Sequence, residues 1–200
     1  KAGFQELYDR IQAYNLNSLT GVDYPGEQLG YLLDFGSWSR VTGYNVSFGQ
    51  GISVTPLQMV RFYGALVNDG TECTPHFLMR LIQSDELPSW ESEDVVANKA
   101  AIPQMTSMLQ TVVTDGTGKR AAIEGYDVAG KTSTTEIYDE VNGGYREGVY
   151  NLCFTGFIAN SSSRLVCFVG ANEVASDGVV TPIFKDIMTA AIDRYNITSE

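Results

Sequence analysis

Basic residues and histidine are scarce in this chain. Lys and Arg total 13 against 24 Asp and Glu, a formal charge of −11. Such a surface repels phosphate backbones and argues against nucleic acid as a partner. His76 is the only histidine. It follows Thr74-Pro75 at a turn, where a surface role is expected, and no Cys–His or Ser–His–Asp arrangement can be built around it. The three cysteines, Cys73, Cys153 and Cys167, have no CxxC spacing and too few companions for a zinc site. No apolar run approaches the ~20 residues that a membrane-spanning helix needs. No signal peptide is visible: Lys1 leads straight into AGFQELYDRI, a helix already under way, so the expectation is a segment cut from a longer protein.

What is present suits one globular domain: 200 residues, 44% hydrophobic and 18% charged. Residues 1–14 set Phe4, Leu7, Tyr8 and Ile11 at helical spacing. The stretch TGVDYPGEQLGYL (20–32) reads as loop and turn. In SFGQGISVTPLQMVRFYGALVNDG (47–70), Thr55 is an N-cap, Pro56 sits at N1 and Gln58 completes a capping box. Leu57, Val60, Tyr63 and Val67 then line one face, and Asn68-Asp69-Gly70 ends the helix. Residues 84–98 are acidic and expected to be exposed. A helix is predicted over roughly 99–114, with Ile102, Met105, Leu109 and Val112 inward. Residues 151–159 and 164–171 are predicted as strands of an antiparallel hairpin around NSSS. A last helix starts at Thr181-Pro182 and turns Phe184, Ile187, Met188, Ala191, Ile192 and Tyr195 inward.

Residues 125–132, GYDVAGKT, match the phosphate-loop pattern GxxxxGK[ST] in full. A phosphate loop needs a buried apolar strand before it and a helix after it. Here TGKRAAIE precedes, and the β-branched run Thr132-Ser133-Thr134-Thr135 opens a helix poorly. The hairpin downstream is also not a parallel βαβ unit. The residues fit a strand better. Tyr126, Val128, Gly130, Thr132 and Thr134 take one face; Asp127, Ala129, Lys131 and Ser133 take the other. Such a strand is either a solvated edge, where Lys discourages pairing, or a rail of hydroxyls and amides beside a cation for an anionic ligand.

Three segments in order, TGVDYPGE, SFGQGISVTPLQMVRFYGALVNDG and GTGKRAAIEGYDVAGKTSTTE, resemble the transpeptidase domain of penicillin-binding proteins, most closely the class B, monofunctional kind. The resemblance spans Lys1 to about Asn196. It implies an α+β fold with an antiparallel sheet and helices on both faces, shared with serine β-lactamases and here incomplete on its N-terminal side. It also implies a peptidoglycan D,D-transpeptidase that attacks stem peptides through a serine acyl-enzyme, which β-lactam antibiotics trap. The family uses Ser-x-x-Lys, Ser-x-Asn and Lys-Thr/Ser-Gly motifs. Only the third has a counterpart, Lys131-Thr132-Ser133, followed by Thr134.

By this resemblance Lys131 and Thr134 are catalytic. Lys131 supplies charge to the serine network, and the Thr134 amide forms half of an oxyanion hole. Thr132, Ser133 and Thr134 are substrate-binding, with the Thr132 and Thr134 hydroxyls on the ligand carboxylate. Ser133 replaces the motif's glycine and points to the same side as Lys131, towards the cleft. No metal or cofactor is implied. The expected partners are stem peptides, β-lactams, the missing N-terminal part of the domain and cell-wall synthesis proteins in the membrane. The expected location is the extracytoplasmic face of the bacterial membrane, with the anchor outside this chain. A non-catalytic relative that senses β-lactam or muropeptide is the alternative. Cys153 and Cys167 are expected to be buried, reduced thiols set diagonally across the hairpin, beyond bridging distance.

Overall fold

The structure, a computed structural model, describes residues 3–82, 88–139, 141–175 and 179–199. The chain divides into two compact units, residues 1–97 and 98–200.

The first unit is mainly helical. Helix α1 (Phe4–Ala13) lacks a side-chain cap and buries only Ile11. Its aromatic residues hold the rest of its face. Phe4 packs edge-on to Tyr44, centroids 5.1 Å apart, and Tyr8 meets Trp38 at 5.6 Å. Both partners come from the segment around α2 (Arg40–Ser47), which opens with a Ser39–Thr42 capping box. Strand β1 (Tyr31–Leu32) pairs with β2 (Ile52–Ser53). Helix α3 (Pro56–Val67) carries the capping box expected from its sequence, with Thr55 and Gln58 each bonding the other's backbone and Pro56 in the first turn. Of its expected face only Tyr63 is fully buried; Gln58 and Ala65 are the other buried positions. Gln58 can be buried because its amide is used at both ends, accepting from the Thr55 amide and donating to the Ser18 carbonyl at 2.7 Å.

The loop 20–32 is stapled by its own carboxylates. Glu27 accepts the Thr20 amide at 2.7 Å, the Thr20 hydroxyl at 2.6 Å and the Gly21 amide at 3.1 Å. Asp23 accepts the amides of Phe77 and Leu78 at 2.7 and 2.8 Å. After α3, β3 (Thr71–Cys73) pairs antiparallel with β4 (Ser92–Asp94). That strand falls within the acidic stretch 84–98, expected to be exposed, which carries no strand pattern in its sequence. Its residues are exposed as expected, Val95 beyond it is buried, and positions 84–87 lie outside the described residues. Glu72 of β3 is buried against Arg61 at 2.8 Å and Asn15 at 3.0 Å. Burial pushes its carboxyl up, against the pull of Asn15 and Arg61. His76 stacks on Trp90 with centroids 4.6 Å apart, a packing role at the surface.

The second unit is α+β and holds a three-stranded antiparallel sheet in the order β5 (Asp127–Tyr138), β6 (Tyr145–Ala159), β7 (Val166–Val174). Strand β6 is longer than the apolar run 151–159 suggested, because pairing with β5 extends it back to Tyr145. Helix α4 (Ile102–Thr114) lies against β5, and α5 (Val180–Tyr195) lies against β6 and β7. The core gathers Val128, Leu152, Phe154, Ile158 and Val169 from one sheet face with Val113, Phe184, Met188 and Ile192 from the helices. At its centre Phe154 and Phe184 meet edge-on, centroids 4.7 Å apart and both fully buried. Each such side chain contributes about 1.5–3 kcal/mol relative to exposure.

Two helical faces differ from expectation. On α5 the buried apolar stripe is Val180, Phe184, Met188 and Ile192, an i,i+4 row joined in the first turn by buried Thr181, whereas Ile187 and Tyr195 are exposed. On α4 the buried pair is Leu109 and Val113; Val112 is half-buried and Met105 exposed. In both cases the helix presents a single row to the sheet, narrower than the apolar arc in its sequence.

Candidate active site

The residues of GYDVAGKT build a turn and then a strand. Gly125 takes a positive φ of 80°, the conformation that leads the chain into β5. Val128, Ala129 and Gly130 are buried, and exposure begins at Lys131. Gly130 is extended, and its missing side chain makes room for Phe154. Lys131 therefore sits mid-strand in an antiparallel sheet, with no helix after it. The geometry of a phosphate loop is absent.

The register assigns the faces as the alternation predicted. Lys131 pairs with Thr155, Thr132 with Phe154, Ser133 with Cys153, and Thr134 with Leu152. Thr132 and Thr134 share the face of Leu152 and Phe154; Lys131 and Ser133 share the face of Cys153 and Thr155. The Lys131 ammonium donates to the Thr132 carbonyl at 2.8 Å. That carbonyl thus points to the open edge of the sheet, because backbone groups alternate between the two sides of a strand. The same alternation turns the amide of Thr134 outward, beside the Thr132 and Thr134 hydroxyls.

A cavity of about 410 Å³ opens here, lined by Thr132, Ser133 and Thr134 of β5 and by Leu152 and Cys153 of β6. Its other walls are Thr117 and Arg120, from the turn after α4, and Val180 and Thr181 at the start of α5. Of the residues singled out from sequence, the cavity gathers Thr132, Ser133 and Thr134. Lys131 stays on the other side of the strand, folded onto the backbone. Arg120 supplies the cavity's cation.

Sequence reasoning missed Thr117 and Arg120, and Thr117 touches the strand. Its hydroxyl lies 2.6 Å from that of Thr132. The signal available was the glycine-rich TDGTG closing α4, which fixes a turn without saying what the turn touches.

Cys153 and Cys167 are free and half-buried, less enclosed than expected. Their separation is also of a different kind from the diagonal reading. Cys153 pairs with Gly170 and Cys167 with Gly156, so they are three positions out of register on opposite faces. Burial raises the Cys153 thiol above its usual range, while the Ser133 hydroxyl and the Lys131 charge pull it down. No His, Cys, Asp and Glu cluster able to hold a metal occurs among the described residues. No helix among them is long and apolar enough to cross a membrane.

Residues 1–189 match the family described as "Penicillin binding protein transpeptidase domain". Penicillin-binding protein PbpB of Mycolicibacterium smegmatis is 30% identical over 98% of this chain and 33% of its own length. Stage V sporulation protein D of Bacillus subtilis is 31% identical over 98% of this chain and 32% of its own length. The crystal structure of penicillin binding protein 3 from Mycobacterium tuberculosis, complexed with aztreonam, matches with a TM-score of 0.90 at 30% identity, covering 99% of this chain and 48% of that one. The chain spans about a third of the length of the curated relatives it matches.

Proposed function

The chain belongs to the penicillin-binding protein transpeptidase family, and from that premise we propose that it supplies the lysine–threonine strand of a peptidoglycan D,D-transpeptidase. In this reaction a serine oxygen attacks the carbonyl of the penultimate D-Ala, the terminal D-Ala leaves, and an amine of a second stem peptide resolves the acyl-enzyme. The serine lies outside these 200 residues, for none of the five lysines has a serine three positions earlier.

The observation that carries the reading is the edge of β5. The Thr132 and Thr134 hydroxyls line one cavity, and the strand's open side presents backbone amides beside them. A carboxylate at the two hydroxyls brings the scissile carbonyl beside the Thr134 amide, which serves as one oxyanion donor. Such a donor stabilises the transition state by roughly 3–4 kcal/mol. Lys131, on the opposite face, lends its charge to the serine network. Ser133 sits between the two threonines in the strand, its side chain on the Lys131 face beside Cys153. A β-lactam takes the place of the D-Ala–D-Ala end and leaves the serine acylated. The activity is exerted outside the cytoplasm, on stem peptides and alongside membrane-bound partners of cell-wall synthesis.

Labelling with a fluorescent penicillin tests this. The protein that carries this chain becomes covalently labelled, and the isolated 200-residue chain does not. A labelled isolated chain would place the nucleophile within it. An unlabelled carrier protein that still binds β-lactam reversibly would make it a sensor.

A further inference from the structure

We propose that Thr117 is a positioning residue that aims the ligand-binding hydroxyl of Thr132, an inference that rests on the transpeptidase reading above and adds a residue outside the Lys-Thr-Ser strand. A threonine hydroxyl has one proton and rotates to suit whatever partner is at hand. On a strand edge open to solvent that partner is water, and the hydroxyl has no fixed direction. Thr132 is an exception. Its Oγ1 lies 2.6 Å from Thr117 Oγ1, at the short end of the O–H···O range. Its carbonyl is held by Lys131 at 2.8 Å, so side chain and backbone are both fixed.

Thr117 is itself firmly placed. The Gly116 amide donates to the Thr111 carbonyl at 3.1 Å and the Gly118 amide to the Val112 carbonyl at 2.9 Å. A Cβ on Gly116 would stand 2.9 Å from the Val112 oxygen, and one on Gly118 would stand 3.1 Å from that oxygen and 3.3 Å from the Phe154 ring. The turn therefore closes tightly on α4 and on Phe154, the residue paired with Thr132 across the sheet. The glycines of TDGTG keep Thr117 within reach of β5.

In the free site either hydroxyl can donate. With a carboxylate at Thr132 only one arrangement serves: Thr132 gives its proton to the ligand, and Thr117 gives its proton to Thr132 Oγ1. Each bond then polarises the next. Valine at 117 keeps the shape but removes the proton, leaving Thr132 free to turn.

The test is the second-order rate of acylation by benzylpenicillin in the protein that carries this chain. Thr117→Val lowers it about tenfold, the effect of losing one ordinary hydrogen bond. Thr117→Ser, which keeps the hydroxyl, stays within about twofold of the parent. In a Thr132→Val background, Thr117→Val costs nothing further. A Thr117→Val rate equal to the parent's, or losses that multiply in the double variant, would overturn the proposal for Thr117 alone. A parent protein that penicillin does not acylate would remove the transpeptidase reading and this inference together.

Discussion

Gly130 lies against Phe154 with no space between them: a Cβ on Gly130 would stand 2.5 Å from the ring's Cζ and 2.7 Å from the Thr155 carbonyl oxygen. Phe154 is fully buried and cannot swing away. Gly130→Ala must therefore push the strands apart, at a cost of about 1–3 kcal/mol. Thermal unfolding should show the lower midpoint, with no nucleotide effect on the parent or the variant. An unchanged midpoint would mean that β5 and β6 yield freely at this point.

Cys153 and Cys167 will not form a bridge under oxidising conditions, because their side chains leave the sheet on opposite faces. Exposed Cys73 should react first with a thiol reagent. Peptide mapping of unreduced protein that recovered a Cys153–Cys167 pair would contradict the register of the hairpin.

Acid should loosen the 20–32 loop through Glu27. Burial alone would raise this carboxyl, but the hydroxyl and amide of Thr20 and the amide of Gly21 outweigh it and hold the group below its usual range. A depressed folded pKa gives stability that is complete above the unfolded value and lost as pH falls through the folded one. Hydrogen exchange at the Thr20 and Gly21 amides should accelerate as pH drops below the usual glutamate range, after correction for the intrinsic rate. Glu27→Ala should show at neutral pH an acceleration of ~10-fold. Exchange in that variant matching the parent would show that the backbone holds the loop without the carboxylate.

Ser133→Gly should speed acylation by a bulky cephalosporin more than by benzylpenicillin. Ser133 lies in the strand that borders the cavity and carries a Cβ and a hydroxyl on the Lys131 face, beside Cys153, where the family motif has glycine. Mispositioning at a reacting centre can cost up to ~10²-fold, and a strand edge that shifts slightly recovers much of it, so a several-fold gain is expected. Equal rates for variant and parent with both drugs would show that the side chain does not meet the ligand.

The local features of this chain were readable because local chemistry decides them. Thr55, Pro56 and Gln58 specify the start of α3 within four residues, and the alternation from Tyr126 to Thr134 gives the faces of β5 without knowing its partner. Features that depend on distant partners were not readable. Strand β4 is the acidic run Ser92–Asp94, with nothing apolar to mark it, and exists because β3 offers it a ladder. Glu72 is buried only because Arg61 and Asn15 reach it. Ile187 and Tyr195 belong to the apolar arc of α5, yet one i,i+4 row suffices to meet the sheet. In the site, Lys131 and Thr134 stood out by motif, whereas Thr117 comes to Thr132 across fifteen residues of sequence through a turn.

The burial along β5 changes abruptly between Gly130 and Lys131. Val128 to Gly130 are clamped in the core, and the strand then runs out half-exposed to Tyr138, with a register shift between Glu136 and Tyr138. Mechanically this is a beam clamped on its faces up to one residue before the motif and held beyond that point along one edge only, by its ladder with β6. Lys131 and Thr132 sit at the root, where deflection is least, and Thr134 stands a little farther out along the beam. A ligand pressing on this edge would displace Thr134 more than Thr132, so the hydroxyl at the root sets the reference position and the amide farther out adjusts to it.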